Sequence, residues 1–238
     1  MYNNYIFDLY GTLIDIRTDE WADETWDKFA AWLLKQDIVY TGRELHHIYD
    51  EEVARLVGEA ADDEVEIDIM PVFDKIMRTQ EPLVTEEEVY KAAEQFRKIS
   101  TKFIRLYPET EAVLSGLKKA GKKVYLLSNA QKAFTWQELT DTGIDKYFDD
   151  IFISSEVGYK KPSAGFMKAL LDKHGLGIEE SIMVGNDSTC DVAVADAVGM
   201  DAAYLRTEIS PKDDPTPDCK YVFEDGNIGH VLDILKEN

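Results

Sequence analysis

The chain has 238 residues and a mass of 27.1 kDa, enough for one large domain or a main domain with a smaller companion. It carries 47 acidic against 26 basic residues, a formal net charge of −21, which argues against a nucleic-acid or anionic-membrane surface. Hydrophobic residues at 45% and aromatics at 11% supply a core and exclude a disordered acidic tail.

Two cysteines, Cys190 and Cys219, make neither a disulfide framework nor a zinc cluster and fit a reducing cytoplasm. The stretch from Met1 to Asp8 has no basic segment leading into an apolar one, so no secretory leader is expected. No apolar run approaches the roughly 18 residues that span a bilayer. A cytoplasmic monomer or homodimer is the expectation.

In chain order, Tyr5–Phe7 reads as a short apolar strand. From Glu20 to Tyr90 there are 20 acidic and 6 basic residues, so most of the net charge lies in under a third of the chain. That stretch reads as helices. Trp21, Phe29, Trp32 and Leu33 recur at helical spacing, as do Leu45, Ile48, Val53, Leu56 and Val57. Thr85 followed by Glu86, Glu87 and Glu88 predicts a capping-box start for a helix running to about Ser100. No strand is expected within it.

The remainder alternates. Apolar runs at Val124–Leu127, Ile151–Ile153, Ile182–Val184, Ala202–Leu205 and Tyr221–Phe223 read as strands. Helical patterns occupy Glu109–Ala120, Lys132–Thr142, Ala164–His174 and Asp191–Val198, each followed by a glycine (Gly121, Gly143, Gly175, Gly199) where a left-handed cap is expected. Such alternation predicts an α/β fold, a Rossmann-like doubly wound parallel sheet with a small all-helical cap inserted after the first strand. The expected division is 1–15 and 101–238 for the core and 16–100 for the cap. Pro211–Pro217 reads as a stiff surface loop.

Ligands of open α/β sheets sit beyond the carboxyl ends of the strands. Those ends carry Asp8, then Ser128 and Asn129, then Lys160 and Lys161, then Asn186, Asp187 and Asp191. A strand-tip carboxylate can attack phosphorus or an activated carbon and form an ester that water cleaves. Attack on a phosphate needs charge neutralisation, which Mg²⁺ on carboxylates, a lysine and a hydroxyl would supply. Asp8 with Asp187 or Asp191 suits that ion. Gly11 lets the backbone turn so that its N–H groups cradle an anion.

Phe7-Asp8-Leu9-Tyr10-Gly11-Thr12-Leu13 resembles the first motif of the haloacid dehalogenase-like hydrolases. Leu127-Ser128-Asn129 resembles their second motif, Lys161-Pro162 their third and Gly185-Asn186-Asp187 through Asp191 their fourth, in the same order. The resemblance implies that Asp8 is the nucleophile and that Ser128 and Lys161 bind the transferring group. It implies that Tyr10, Gly11, Thr12 and Asn129 also face the substrate. Mg²⁺ would sit among Asp8, the Tyr10 carbonyl, Asn186, Asp187 and Asp191.

Two positions depart from the commonest phosphatase pattern. Tyr10 stands where a second Asp usually serves as general acid and base, and Asn186 stands where Asp is frequent. Tyr10-Gly11-Thr12-Leu13 resembles the dehalogenase branch, for which Arg17 or Arg43 would be the halide arginine. The reading is a Mg²⁺-dependent phosphatase of a small phosphate monoester, slowed by Tyr10. The alternatives are a metal-independent 2-haloacid dehalogenase or a catalytically weak ligand-binding homologue. Bland roles also exist: Ser128 and Asn129 as helix caps, Asp191 as a first-turn acid, His46 and His47 as surface residues, and Trp21, Trp26 and Trp32 as core or core-edge residues.

Overall fold

A computed structural model describes residues 1–213 and 215–237; the predicted loop at Pro211–Pro217 lies partly outside the described residues. In chain order the strands are β1 (Asn4–Phe7), β2 (Ile14–Thr18), β3 (Thr101–Leu106), β4 (Lys123–Ser128), β5 (Asp150–Ile153), β6 (Ser181–Gly185), β7 (Asp201–Leu205) and β8 (Tyr221–Phe223). Helices α1 (Asp23–Leu34), α2 (Gly42–Glu59), α3 (Met70–Arg78) and α4 (Glu86–Ser100) lie between β2 and β3. The later helices are α5 (Thr110–Lys119), α6 (Lys132–Thr142), α7 (Ser154–Val157), α8 (Ala164–His174), α9 (Ala193–Asp196) and α10 (Val231–Glu237).

Six strands form a parallel sheet in the order β5-β4-β1-β6-β7-β8. β1 is central, with Phe7 paired to Leu126 on one side and Val184 on the other. Its residues are buried on both faces, which explains the uninterrupted apolar reading. Tyr5 and Phe7 join one core with α5 and α10, whereas Ile6 joins the opposite core with Phe166 and Leu170 of α8. The chain adds β4 and β5 on one side of β1, then crosses to β6 and β7 on the other. A crevice therefore opens beyond the carboxyl end of β1. The glycine caps are as predicted: Gly121, Gly143, Gly175 and Gly199 all have positive φ, between 61° and 74°.

The four helices between β2 and β3 bury a core of their own, centred on Trp26, Phe29, Phe73 and Phe96. Phe96 stands 4.7 Å from Trp26 and 5.4 Å from Phe29, ring centre to ring centre. Phe134 of α6 enters the same cluster, 6.1 Å from Phe73, so the sheet unit and the helical insert share apolar surface. Thr85 caps α4 as predicted, with Glu88 closing the box.

Four features differ from the sequence reading. β2 and β3 pair antiparallel as a two-stranded ribbon, and the expected boundary at residues 15/16 falls inside β2. The Asp191–Val198 helix begins earlier, as a π-helical turn from Ser188 capped by Asp187, because the Asp187 carboxylate captures the amides of Thr189 and Cys190. Ser128 and Asn129 do not cap α6; Gln131 holds the cap position. Of the tryptophans, Trp26 is buried but Trp21 is 72% exposed, and His46 stacks on Trp26 with ring centres 4.8 Å apart.

Candidate active site

The turn after β1 fixes the first group. Asp8 N–H donates to Val184 O across the sheet at 2.9 Å, so the residue stays in register with β6. The Leu9 carbonyl accepts from Thr12, Leu13 and Ile14, which folds the chain back sharply. Gly11 makes this possible with φ +88°, and a Cβ there would stand 2.4 Å from the Asn186 amide nitrogen. The Asp8 residue is 7% exposed.

Lys161 sits between two acids. Its Nζ donates to Asp8 Oδ1 at 2.6 Å and to Asp191 Oδ1 at 2.7 Å, with all three side chains buried. Burial opposes the ammonium charge, but Asp191 and Asp8 more than offset it and hold the amine above the ordinary lysine range. Burial, with Asp8 adding to it, pushes the Asp191 carboxyl upward against the pull of Lys161. The other Asp191 oxygen accepts from Asn186 N–H at 2.9 Å and Asp187 N–H at 3.0 Å. That approach requires Gly185, where a Cβ would lie 2.2 Å from Asp191 Oδ2. Asp191 is therefore committed at both oxygens and is more than a first-turn helix acid.

Asn129 holds Lys161 in turn: Oδ1 accepts from Lys161 N–H at 2.7 Å and Nδ2 donates to Lys161 O at 3.0 Å. The Ser128 hydroxyl beside it is buried and, among the described residues, has no hydrogen-bond partner. A buried orphan hydroxyl costs free energy unless a ligand satisfies it. The structure thus brings Asp8, Thr12, Ser128, Asn129, Lys161, Asn186 and Asp191 to one corner.

Asp187 is turned to local work: Oδ1 accepts from Thr189 N–H at 2.8 Å, Cys190 N–H at 3.0 Å and the Thr189 hydroxyl at 2.7 Å. The Thr12 hydroxyl lies 3.2 Å from both Asp8 Oδ2 and Asn186 Oδ1. With one proton to give, it satisfies one of them at a time, so the other oxygen, and the second lone pair of each, keeps acceptor capacity for a cation. Among the described residues no three His, Cys, Asp or Glu side chains gather as a ready-made metal cluster. The donors fit a hard cation that takes few protein oxygens and keeps several waters, as Mg²⁺ does.

Tyr10 turns towards α6. Its hydroxyl meets Thr135 Oγ1 at 2.9 Å and donates to Glu138 Oε2. Burial, with the Glu138 charge second, raises its pKa far above the ordinary phenol value. Glu138 also accepts from Arg97 of α4 at 2.6 Å, and Arg97 reaches Glu20 at 2.8 Å. None of Arg97, Glu138, Gln131 or Glu66 was marked by the sequence reading, since no local motif links residues 40 or more positions apart. Glu66 belongs to a strap, Glu64–Ile69, laid over the sheet unit, and Gln131 at the start of α6 fastens it there. Glu66 N–H donates to Gly158 O and Lys160 N–H to Glu64 O, while the Gln131 amide bridges Ile67 O and Ile69 N–H.

The family model described as haloacid dehalogenase-like hydrolase matches residues 2–199. The chain belongs to that family. It is 30% identical over 115 residues to a glyceraldehyde 3-phosphate phosphatase of Methanothermobacter thermautotrophicus, covering 48% of this chain and 51% of the relative. It is 31% identical over 141 residues to a phosphoserine phosphatase of Thermus thermophilus, covering 56% and 57%. The chain thus spans about half the length of the curated relatives it matches. The fold is similar to that of the HAD-hydrolase YfnB of Bacillus subtilis bound to magnesium, at TM-score 0.57, 19% identity and 99% coverage of both chains. Among the described residues no helix is long and apolar enough to cross a membrane.

Proposed function

We propose that this haloacid dehalogenase-like chain is a Mg²⁺-dependent phosphatase of a small phosphate monoester, with Asp8 as nucleophile. The observation that carries this reading is Lys161 Nζ within 2.7 Å of both Asp8 and Asp191, near the Ser128 hydroxyl, which has no partner among the described residues. An ammonium and a free hydroxyl flanking a strand-tip carboxylate suit an incoming phosphoryl group. The phosphatase relatives support the same chemistry.

In this mechanism a carboxylate oxygen of Asp8 attacks phosphorus as the P–O ester bond breaks, and the departing alkoxide takes a proton from water, leaving an aspartyl phosphate. Ser128 donates to a phosphoryl oxygen, and Lys161 carries part of the charge. Asp191 and Asn129 hold Lys161 where it meets the phosphate. Water then cleaves the ester and restores Asp8. Bound Mg²⁺ would be held by Asp8, Asn186 and the Tyr10 carbonyl, and it supplies charge neutralisation for the approach of two anions. Asp187 and Asp191 remain near this site as its acidic surround. We take residues 16–100 as a cap over the cleft and 1–15 with 101–238 as the catalytic core.

Phosphate release from an aryl phosphate tests the reading. It should require Mg²⁺, stop with EDTA and disappear in Asp8→Asn. Release that ignores EDTA, or survives that substitution, refutes it. Tyr10 favours one second reading, a metal-independent 2-haloacid dehalogenase, since a departing halide needs no proton. Chloride release from a 2-chloroacid in EDTA would establish that reading instead.

A further inference from the structure

A cavity of about 370 Å³ opens between the helical insert and the sheet unit, next to the Asp8 corner. Tyr10, two residues from Asp8, and Asn129, bonded to Lys161, both line it, so an alcohol esterified to a phosphate at Asp8 would project into it. Val53, Ile69 and Phe134 supply an apolar lining. The volume suits a small ligand rather than a macromolecule.

Most polar side chains on the wall already have partners. Asn129 is spent on Lys161, Thr135 on Tyr10, and Gln131 on Ile67 and Ile69. Arg97 is the cation of the wall, and two acids, Glu20 and Glu138, share it. Glu66 differs. Its oxygens accept from the Ser154 hydroxyl at 2.8 Å and from Ile67 N–H at 3.1 Å, and among the described residues no cation pairs with it. A half-buried carboxylate has about four acceptor sites, so Glu66 keeps capacity for a ligand donor. Two carboxylates on the wall, Glu20 and Glu66, face one guanidinium that Glu138 also neutralises from behind, so the cavity is electronegative. A second acid on the substrate would meet repulsion there, and an ammonium would meet attraction.

Resting on the phosphatase reading, we propose that this cavity selects phosphate monoesters whose alcohol part carries an ammonium group, with Glu66 as its counter-ion. The phosphate stays with Lys161 and Ser128, and the two ends of the substrate are sorted by charge.

Three two-carbon esters test this: ethanolamine phosphate, 2-hydroxyethyl phosphate and phosphoglycolate. In the wild type kcat/KM should fall in that order, with the amine ester ahead of the acid by roughly tenfold or more. Raising salt from about 0.05 M to about 0.5 M should narrow the ratio, as screening predicts for a partly exposed charge. Glu66→Gln should shrink the ratio mainly through KM, and Glu66→Lys should invert it. A ratio is read within each variant, so a general loss of activity does not obscure it. Wild-type preference for phosphoglycolate, or an unchanged ratio in Glu66→Gln, overturns the proposal. If none of the three esters nor an aryl phosphate is cleaved, the phosphatase reading fails separately. Calorimetric binding of ethanolamine phosphate against phosphoglycolate to the wild type then decides the cavity's charge preference, and equal affinities overturn it.

Discussion

Asn129 grips the backbone of Lys161 at both its N–H and its carbonyl, across 32 residues of sequence. The ammonium that bridges Asp8 and Asp191 is thereby set by an amide on the neighbouring strand tip. Asn129→Ala should leave Lys161 chemically intact but misplaced, and lower kcat by up to about 10²-fold, the scale of a small misalignment at a reacting centre. Asn129→Asp keeps the acceptor and loses the donor, so it should fall between. Single-turnover rates on an aryl phosphate, with melting curves as a control for folding, would measure both. An Asn129→Ala protein with unchanged kcat would contradict this.

Tyr10 is a poor proton donor where it stands, because Glu138 accepts its proton and burial disfavours the phenolate. Tyr10→Phe should therefore show no loss near the ~10²-fold or more that removal of a working general acid brings. Tyr10→Asp should raise turnover on esters with poor leaving groups relative to aryl phosphates. A large loss in Tyr10→Phe confined to poor leaving groups would make the tyrosine the acid after all.

Arg97 links α4 to α6 through Glu138 and carries Glu20 as well, with most of each pair hidden from solvent. Arg97→Met strands two carboxylates and should cost about 3 kcal/mol of stability. Adding Glu138→Gln should return part of that loss, because the buried charge goes with it. Urea unfolding of the single and double variants checks this, and additive losses would argue against the coupling.

Asp149 gives a pH signature far from the site. Burial opposes its charge, but Lys118, the Val124 N–H and Lys123 more than offset it and hold the carboxyl below its usual range. A lowered folded pKa means stability that is present above the unfolded value near 3.9 and lost as pH falls through the folded one. Asp149→Asn should cost about 1–2 kcal/mol at pH 7, a loss that shrinks below about pH 4. Unfolding curves at both pH values read this directly; a pH-independent loss would assign it to packing.

The core strands and helices were legible because the apolar runs are short, those of β1, β4 and β6 are almost wholly buried, and a glycine caps the helix before each of β4, β5, β6 and β7. Lys161 could be singled out from Lys160 through its neighbour Pro162, and it is Lys161 that is buried against two acids. The ribbon escaped notice although Ile14-Asp15-Ile16-Arg17 alternates, since Thr101–Leu106 keeps Phe103 exposed and continues directly from α4. The π-helical start at Ser188 turns on a side-chain capture that composition does not reveal. Glu66, Arg97 and Glu138 acquire neighbours only when distant segments pack.

The strap at Glu64–Ile69 is fastened to the loops beneath it largely by amides: Glu66 to Gly158, Lys160 to Glu64, and Gln131 to Ile67 and Ile69. Water can replace those bonds nearly one for one, whereas heat capacity follows the apolar area laid bare. Lifting Glu64–Ile67, with Ile69 left seated in the helical core, should therefore have an almost temperature-independent enthalpy. Deuterium uptake at the amides of Glu66 and Lys160 would then register each opening while the sheet beneath stays protected.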